Sequence, residues 1–266
     1  MREGYWVIRT YKAGSVGEKT KFWVDARRAP RNAKRLKSDV KKALANEHSA
    51  VKTVARLLNA NFSKGDYLIG LDYSKAGYRK LIKSIDGYRK MSETERMEAI
   101  RIAAEHEMRL CFRRVQYALG KNGKELKYLG VTSDMDGKTG EAVRIHHHVV
   151  VNRDSLAAFL DKWKHGGVEY EPLTAQKDYM AIAVYLMEQV RRVPDAKKYS
   201  PSRNLVRPQP MDRIAKDGRM LTPPKGAVVI EFDKYRIGKP QYMRYILPEA
   251  ADLGGTVYAK TTKKRE

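Results

Sequence analysis

Three consecutive histidines, His146–His148, run directly into three valines, Val149–Val151. The segment AVRIHHHVVVN (142–152) reads as a β-strand, and a strand turns successive side chains to opposite faces. His146 and His148 then share one face with Val150, while Ile145, His147, Val149 and Val151 take the other. LKYLGVTSD (126–134) precedes it across MDGKTGE, whose Asp-Gly chemistry predicts a hairpin. A chain holding this segment has to build a sheet around it.

The remaining periodicities supply the rest of the domain. Tyr5–Thr10 and Lys21–Asp25 predict an N-terminal hairpin around KAGSVGEK. ARRAPRNAKRLK (26–37) follows with six Lys or Arg and no acid, either a solvated arm or a phosphate-contacting one. Val40, Ala43, Leu44, Val51, Val54 and Leu57 or Leu58 recur at helical spacing. GDYLIGLDYS (65–74) reads as a strand, and a short basic helix near Ala76–Ile85 follows. Ser92 with Glu95 forms a capping box that opens a long helix, buried along Met97, Ile100, Ala104, Cys111 and Val115 and closed by Gly120. Further on come a helix at Asp154–Trp163, a strand at Val168–Glu171 and a helix from about Ala175 to Arg192, stopped by Pro194. Residues 195–225 read mostly as loop, VVIEFDKYRIG and PQYMRYIL as a late hairpin, and KTTKKRE as a disordered basic tail. The order predicts an α+β fold with a largely antiparallel four- or five-stranded sheet and helices on one face. The expected organisation is 1–54 as hairpin, basic arm and helix, 55–210 as the central domain, and 211–266 as a C-terminal extension.

Charge narrows the function. Lys and Arg number 54 against 31 Asp and Glu, a net +23 over 266 residues, which points to a polyanionic partner and first to nucleic acid. At 42% hydrophobic residues the chain has the composition of a globular protein rather than a basic tail. Cys111 is the only cysteine, which excludes intramolecular disulfides and every zinc module built on two or more thiolates. No apolar run approaches the roughly 18 residues of a membrane span, and MREGYWVIRT has no secretory apolar stretch, so a cytoplasmic location is expected. GKTG (137–140) is not a P-loop, because Thr132 stands where its first glycine belongs. A built-in NTPase motor is therefore not expected.

Two residue sets carry chemistry. His146 and His148, at positions i and i+2, are either satisfied sheet residues or a bidentate half-site for a metal. Carboxylate and water as the remaining ligands would suit Mg²⁺ or Mn²⁺. On the helix 175–192, Met180, Val184, Met187 and Val190 with Ala183 form an apolar stripe. Tyr179 borders that stripe and is expected in the core. Tyr185 lies opposite, among Ala181, Glu188, Gln189 and Arg192. It is either an exposed tyrosine or a nucleophile beside a metal.

RIHHHVVVN, with IAVYLMEQ downstream, resembles the HUH endonucleases of the rolling-circle replication initiator type. Their second motif is two His separated by one residue and followed by apolar residues, matched by His146, His148 and Val149–Val151. Their nucleophile is a downstream helical Tyr, a place taken by Tyr185. GDYLIGLDYS resembles their first motif, and KYSPSRNLVRP (198–208) is similar to a segment of phage and mobile-element initiators. The resemblance covers roughly residues 55–210. It implies a ferredoxin- or RRM-like antiparallel sheet, Mg²⁺ or Mn²⁺, and nicking of single-stranded origin DNA through a 5′-phosphotyrosine link. It also implies a third metal ligand from the preceding strand, for which Asp134 is the candidate, with Ser133, Asp136 and Glu141 behind it. Many relatives carry Lys three residues after the tyrosine. This chain has Glu188 there, leaving Arg192 or Arg191 as the cationic helper. Lys198, Arg203 and Asn204 are the candidate DNA contacts, Arg203 and Asn204 alternatively bracing the nucleophile helix. The six-residue gap from Tyr179 to Tyr185 implies a single-tyrosine enzyme. A host helicase and DNA polymerase would be its partners, with no membrane. A relaxase or single-tyrosine transposase would share the chemistry. The rival is a non-catalytic single-stranded nucleic-acid-binding module, in which exposed tyrosines and charge alone do the binding.

Overall fold

The computed structural model describes residues 4–25, 40–136, 139, 141–190, 198–215, 219–233 and 240–248, those of 40–47 by backbone alone. The basic arm 26–37, Arg191, Arg192 and the basic tail lie outside the described residues. In chain order the elements are β1 (Gly4–Ala13), β2 (Val16–Asp25), α1 (Val40–Asn61), β3 (Tyr67–Leu71), α2 (Lys75–Lys83), α3 (Glu93–Gly120), β4 (Tyr128–Met135), β5 (Ala142–Val151), α4 (Leu156–Lys162), β6 (Val168–Pro172), α5 (Met180–Glu188), β7 (Ser200–Pro201), β8 (Met211–Ala215), β9 (Val228–Asp233) and β10 (Gln241–Ile246). The fold is α+β with two five-stranded antiparallel sheets. The chain divides into two compact units: Met1–Asn61 with Ala175–Met180 and Val206–Glu266, and Phe62–Thr174 with Ala181–Leu205.

In the first unit the strand order is β8-β1-β2-β10-β9. The N-terminal and late hairpins, far apart in sequence, are neighbours through the antiparallel β2–β10 ladder. β8 emerges from a stretch read as loop. It is a short, exposed edge strand, and its residues MDRIA give no period-two apolar signal. The β1–β2 turn is only Gly14-Ser15, tighter than the KAGSVGEK loop expected. Gly14 sits at φ +57, and a Cβ there would come within 2.1 Å of the Asn59 carbonyl oxygen, so both conformation and space require glycine. α1 covers the face that carries Tyr11, Glu18 and Tyr242. Arg56 Nη2 reaches Glu18 Oε2 at 2.6 Å with its guanidinium 3.7 Å over Tyr11, and Lys52 Nζ stands 3.2 Å over Tyr242.

In the second unit the order is β6-β3-β5-β4-β7, with the histidine strand β5 in the middle. Ile69, Leu71, Ile145, Val149 and Val151 point to one face and pack with Ile100, Ala104, Met108, Cys111 and Val115 of α3 and Phe159 of α4. The capping box at the start of α3 is present: the Ser92 N–H donates to Glu95 Oε2 at 2.8 Å and the Glu95 N–H to Ser92 Oγ at 3.4 Å. Cys111 is fully buried, and burial pushes its thiol up to about 12. A thiol reagent at pH 8 should therefore label Cys111 only at the rate of unfolding and promptly in denaturant. Stoichiometric labelling of the native protein within minutes would contradict this packing.

Candidate active site

β5 lies between β3 and β4, so its histidines are bounded on both sides by hydrogen-bonded backbone. His147 turns inward. Its Nε2 is 3.2 Å from the Tyr73 hydroxyl and its Nδ1 3.0 Å from Thr132 Oγ1, so both ring nitrogens are engaged in the core. Burial, followed by the neighbouring His146 and His148, lowers its pKa to about 3. His147 is a neutral structural residue.

His146 and His148 point the other way and are half-buried. His146 Nδ1 is 2.9 Å from the Arg144 carbonyl oxygen. A carbonyl can only accept, so Nδ1 is the donor, and in the neutral ring the lone pair sits on Nε2. That Nε2 stands 3.0 Å from His148 Nε2. The Tyr185 hydroxyl lies 3.5 Å from the same His148 Nε2, and the two rings meet edge to face at 5.2 Å. Three polar atoms from two elements thus converge on one point.

α5 brings Tyr185 there. Ala183 and Leu186 are its buried residues, with Val190 buried just beyond it, while Ala181, Tyr185 and Glu188 are exposed, Tyr185 by 40%. The expected stripe is rotated: Leu186 leads it, and Met180, Val184 and Met187 are only half-buried. The helix also begins at Met180 rather than Ala175, because Asp178 Oδ1 accepts from the Met180 N–H at 3.0 Å and caps it. Tyr179 is in the core, as expected, and Tyr199 is half-buried ahead of β7.

Burial favours the neutral forms of His148 and Tyr185. Burial, and then His146, lowers His148 to about 4. Burial, and then Glu171, raises Tyr185 above the ordinary phenol range. Neutral imidazoles are the form that ligates a metal. Two ligands bound in adjacent positions at about 2.1 Å from one cation are about 3.0 Å apart, which is the separation of the two Nε2 atoms. The pair fits a divalent ion.

The expected third ligand does not join it. Asp134 shares its side of β4 with Thr132, whose hydroxyl meets His147 in the core. Its Oδ1 accordingly faces Arg101 Nη1 of α3 at 3.5 Å. On the histidine face β4 places Val131 opposite His148 and Ser133 opposite His146, and the Ser133 hydroxyl donates to the Met135 carbonyl. Among the described residues no three His, Cys, Asp or Glu form a metal-binding group. The acids on the histidine face come from β6 instead. Gly70 of β3 pairs with His148 on one side and Glu169 on the other. A Cβ at Gly70 would lie 3.7 Å from the Glu169 Cβ, so no side chain of β3 stands between Glu169 and His148 at this register. Glu171 follows two residues on. The alternation of VEYEP (168–172) places Glu169 and Glu171 on one face of β6.

The remaining candidates are placed individually. Segment 200–205 closes the β4 edge: the Ser202 N–H bonds the Tyr128 carbonyl at 2.9 Å, and Asn204 Nδ2 donates to Glu125 Oε2 at 3.1 Å and to the Leu126 carbonyl at 3.2 Å. Asn204 thus braces the entry to β4. Arg203 is exposed and Lys198 half-buried. No family model, curated protein or solved structure matches this chain.

Proposed function

We propose that the chain is a divalent-metal-dependent DNA strand-transfer endonuclease that nicks single-stranded origin DNA and so initiates rolling-circle replication. The observation that carries this reading is the convergence of His146 Nε2, His148 Nε2 and the Tyr185 hydroxyl. The Tyr185 oxygen attacks the scissile phosphorus, and the bond from phosphorus to the 3′ oxygen breaks. The phenolic proton passes to solvent and the departing 3′ oxygen takes one up. The products are a 5′-phosphotyrosine and a free 3′-OH, which a host polymerase can extend while a host helicase unwinds the duplex. His146 and His148 would hold Mg²⁺ or Mn²⁺, with Glu169 the acid whose face suits the remaining position. When bound, the ion neutralises charge on the scissile phosphate. Among the described residues no helix is long and apolar enough to cross a membrane.

The test is incubation with Mn²⁺ and labelled single strands of randomised sequence, followed by denaturing electrophoresis. A covalent protein–DNA band is expected from the wild type. His146→Ala and His148→Ala should each reduce it by about a hundredfold or more. Glu169→Gln should reduce metal affinity by about tenfold or more, and Asp134→Asn should leave it near wild type. The reverse order of these last two would return the ligand to β4. DNA binding without any adduct would leave the non-catalytic reading that the +23 charge by itself favours.

A further inference from the structure

The sheet of the first unit has a second face, turned away from α1. β1 sends Trp6, Ile8 and Thr10 to it, and β2 sends Lys19, Lys21 and Trp23, paired Trp6 with Trp23, Ile8 with Lys21 and Thr10 with Lys19. A cavity of about 330 Å³ opens on this face. Its described lining includes Lys19, Lys21, Arg213 and Arg219 and no acid. The walls hold the lysines in place: Lys19 Nζ donates to the Thr222 carbonyl at 2.7 Å, and Lys21, only 2% exposed, donates to the Arg219 carbonyl. Lys19 of β2 and Arg213 of β8 flank the intervening strand β1 and repel one another, and burial, followed by that repulsion, lowers the Lys19 pKa. Like charges drawn together at a cavity mouth favour an anion between them.

Aromatic surface continues the row. Trp23 stands edge to face with Trp6 at 5.4 Å and is 40% exposed. It spreads over Gly4, where a Cβ would come within 2.7 Å of the indole. Lys21 Nζ in turn lies 5.5 Å from the Trp6 ring. Alternate strand residues repeat at about 7 Å, so indole, buried ammonium and cavity ammonium stand in one line along β2. A phosphate pocket beside a stacking platform is the combination that holds single-stranded nucleic acid without reading its sequence.

We propose that this face of the first unit is a second single-stranded DNA site, with a backbone phosphate between Lys19 and Arg213 and a base stacked on Trp23. It rests on the proposed reading only in taking DNA as the polyanion, since the site needs neither metal nor Tyr185. Binding of a fluorescent thymidine oligonucleotide is therefore measured in EDTA, on full-length Tyr185→Phe protein, at several salt concentrations. Lys19→Gln with Arg213→Gln should weaken binding roughly tenfold and flatten the salt dependence by about one phosphate's worth. Trp23→Ala should weaken it about five- to a hundredfold with the salt slope unchanged. Trp23→Phe, which keeps a ring, should restore most of that loss, separating stacking from a packing defect. Wild-type affinity and slope in the Lys19/Arg213 variant, with its melting temperature retained, overturn the proposal even if the adduct forms. A missing adduct with these effects intact overturns only the nuclease reading.

Discussion

Tyr185→Phe should bind single-stranded DNA as tightly as the wild type and leave no covalent adduct. The substitution removes one oxygen and almost no volume from a side chain that is 40% exposed, so neither folding nor the apolar side of α5 should notice it. The lost oxygen is the one that stands 3.5 Å from His148 Nε2. Deleting a nucleophile typically costs at least ~10⁴-fold in turnover, which here means cleavage at background. Trypsin digestion of the wild-type adduct should place the nucleotide on the peptide that follows Lys177 and ends at Arg191. That peptide also contains Tyr179, so fragmentation must assign the residue. Tyr179 is 4% exposed and immediately precedes α5. Modified Tyr179 or Tyr199, or full nicking by Tyr185→Phe, would refute the assignment. Retained metal binding in the variant would show that the histidine pair and the nucleophile are separable halves.

The central part of this arrangement was legible because it rests on local periodicity. The alternation of RIHHHVVVN fixes which histidines face outward whatever the sheet around it, and Tyr185 stays on the exposed side of α5 even though the stripe opposite is rotated toward Leu186. The capping box at Ser92 and Glu95 is a contact over three residues and was equally readable. What sequence did not yield is long-range. Joining β2 to β10 depends on a pairing more than 200 residues apart, and β8 has no apolar alternation to announce it. Asp134 has the right chemistry on the strand beside the histidines, but its parity with Thr132 turns it to Arg101. That Glu169 shares the face of His148, with Gly70 between them, depends on two ladders meeting at Gly70. A residue on a non-adjacent strand cannot be read from a hairpin alone.

His147 offers the second large effect, on stability rather than chemistry. His147→Ala opens a cavity beside Tyr73 and Trp163 and strips the buried hydroxyls of Tyr73 and Thr132 of a partner. The expected cost is on the order of 3–5 kcal/mol, read as a lower denaturation midpoint. The same burial gives the wild type an acid limit. In the folded chain His147 titrates at about 3, whereas an unfolded histidine titrates near 6.5. Between these values the unfolded chain binds a proton that the folded chain refuses, so protonation draws the equilibrium toward unfolding. The penalty is absent above about pH 6.5 and grows by up to about 1.4 kcal/mol per pH unit as the pH falls toward 3. His148, lowered to about 4, adds in the same direction. Melting temperatures of the metal-free protein from pH 7.5 to 4.5 should therefore decline steeply below 6.5. His147→Gln, which can still hydrogen-bond but does not titrate, should start lower at pH 7.5 and decline less. Parallel curves for the two proteins would mean that His147 gains its proton in the folded state, and the buried contacts assigned to it would be wrong.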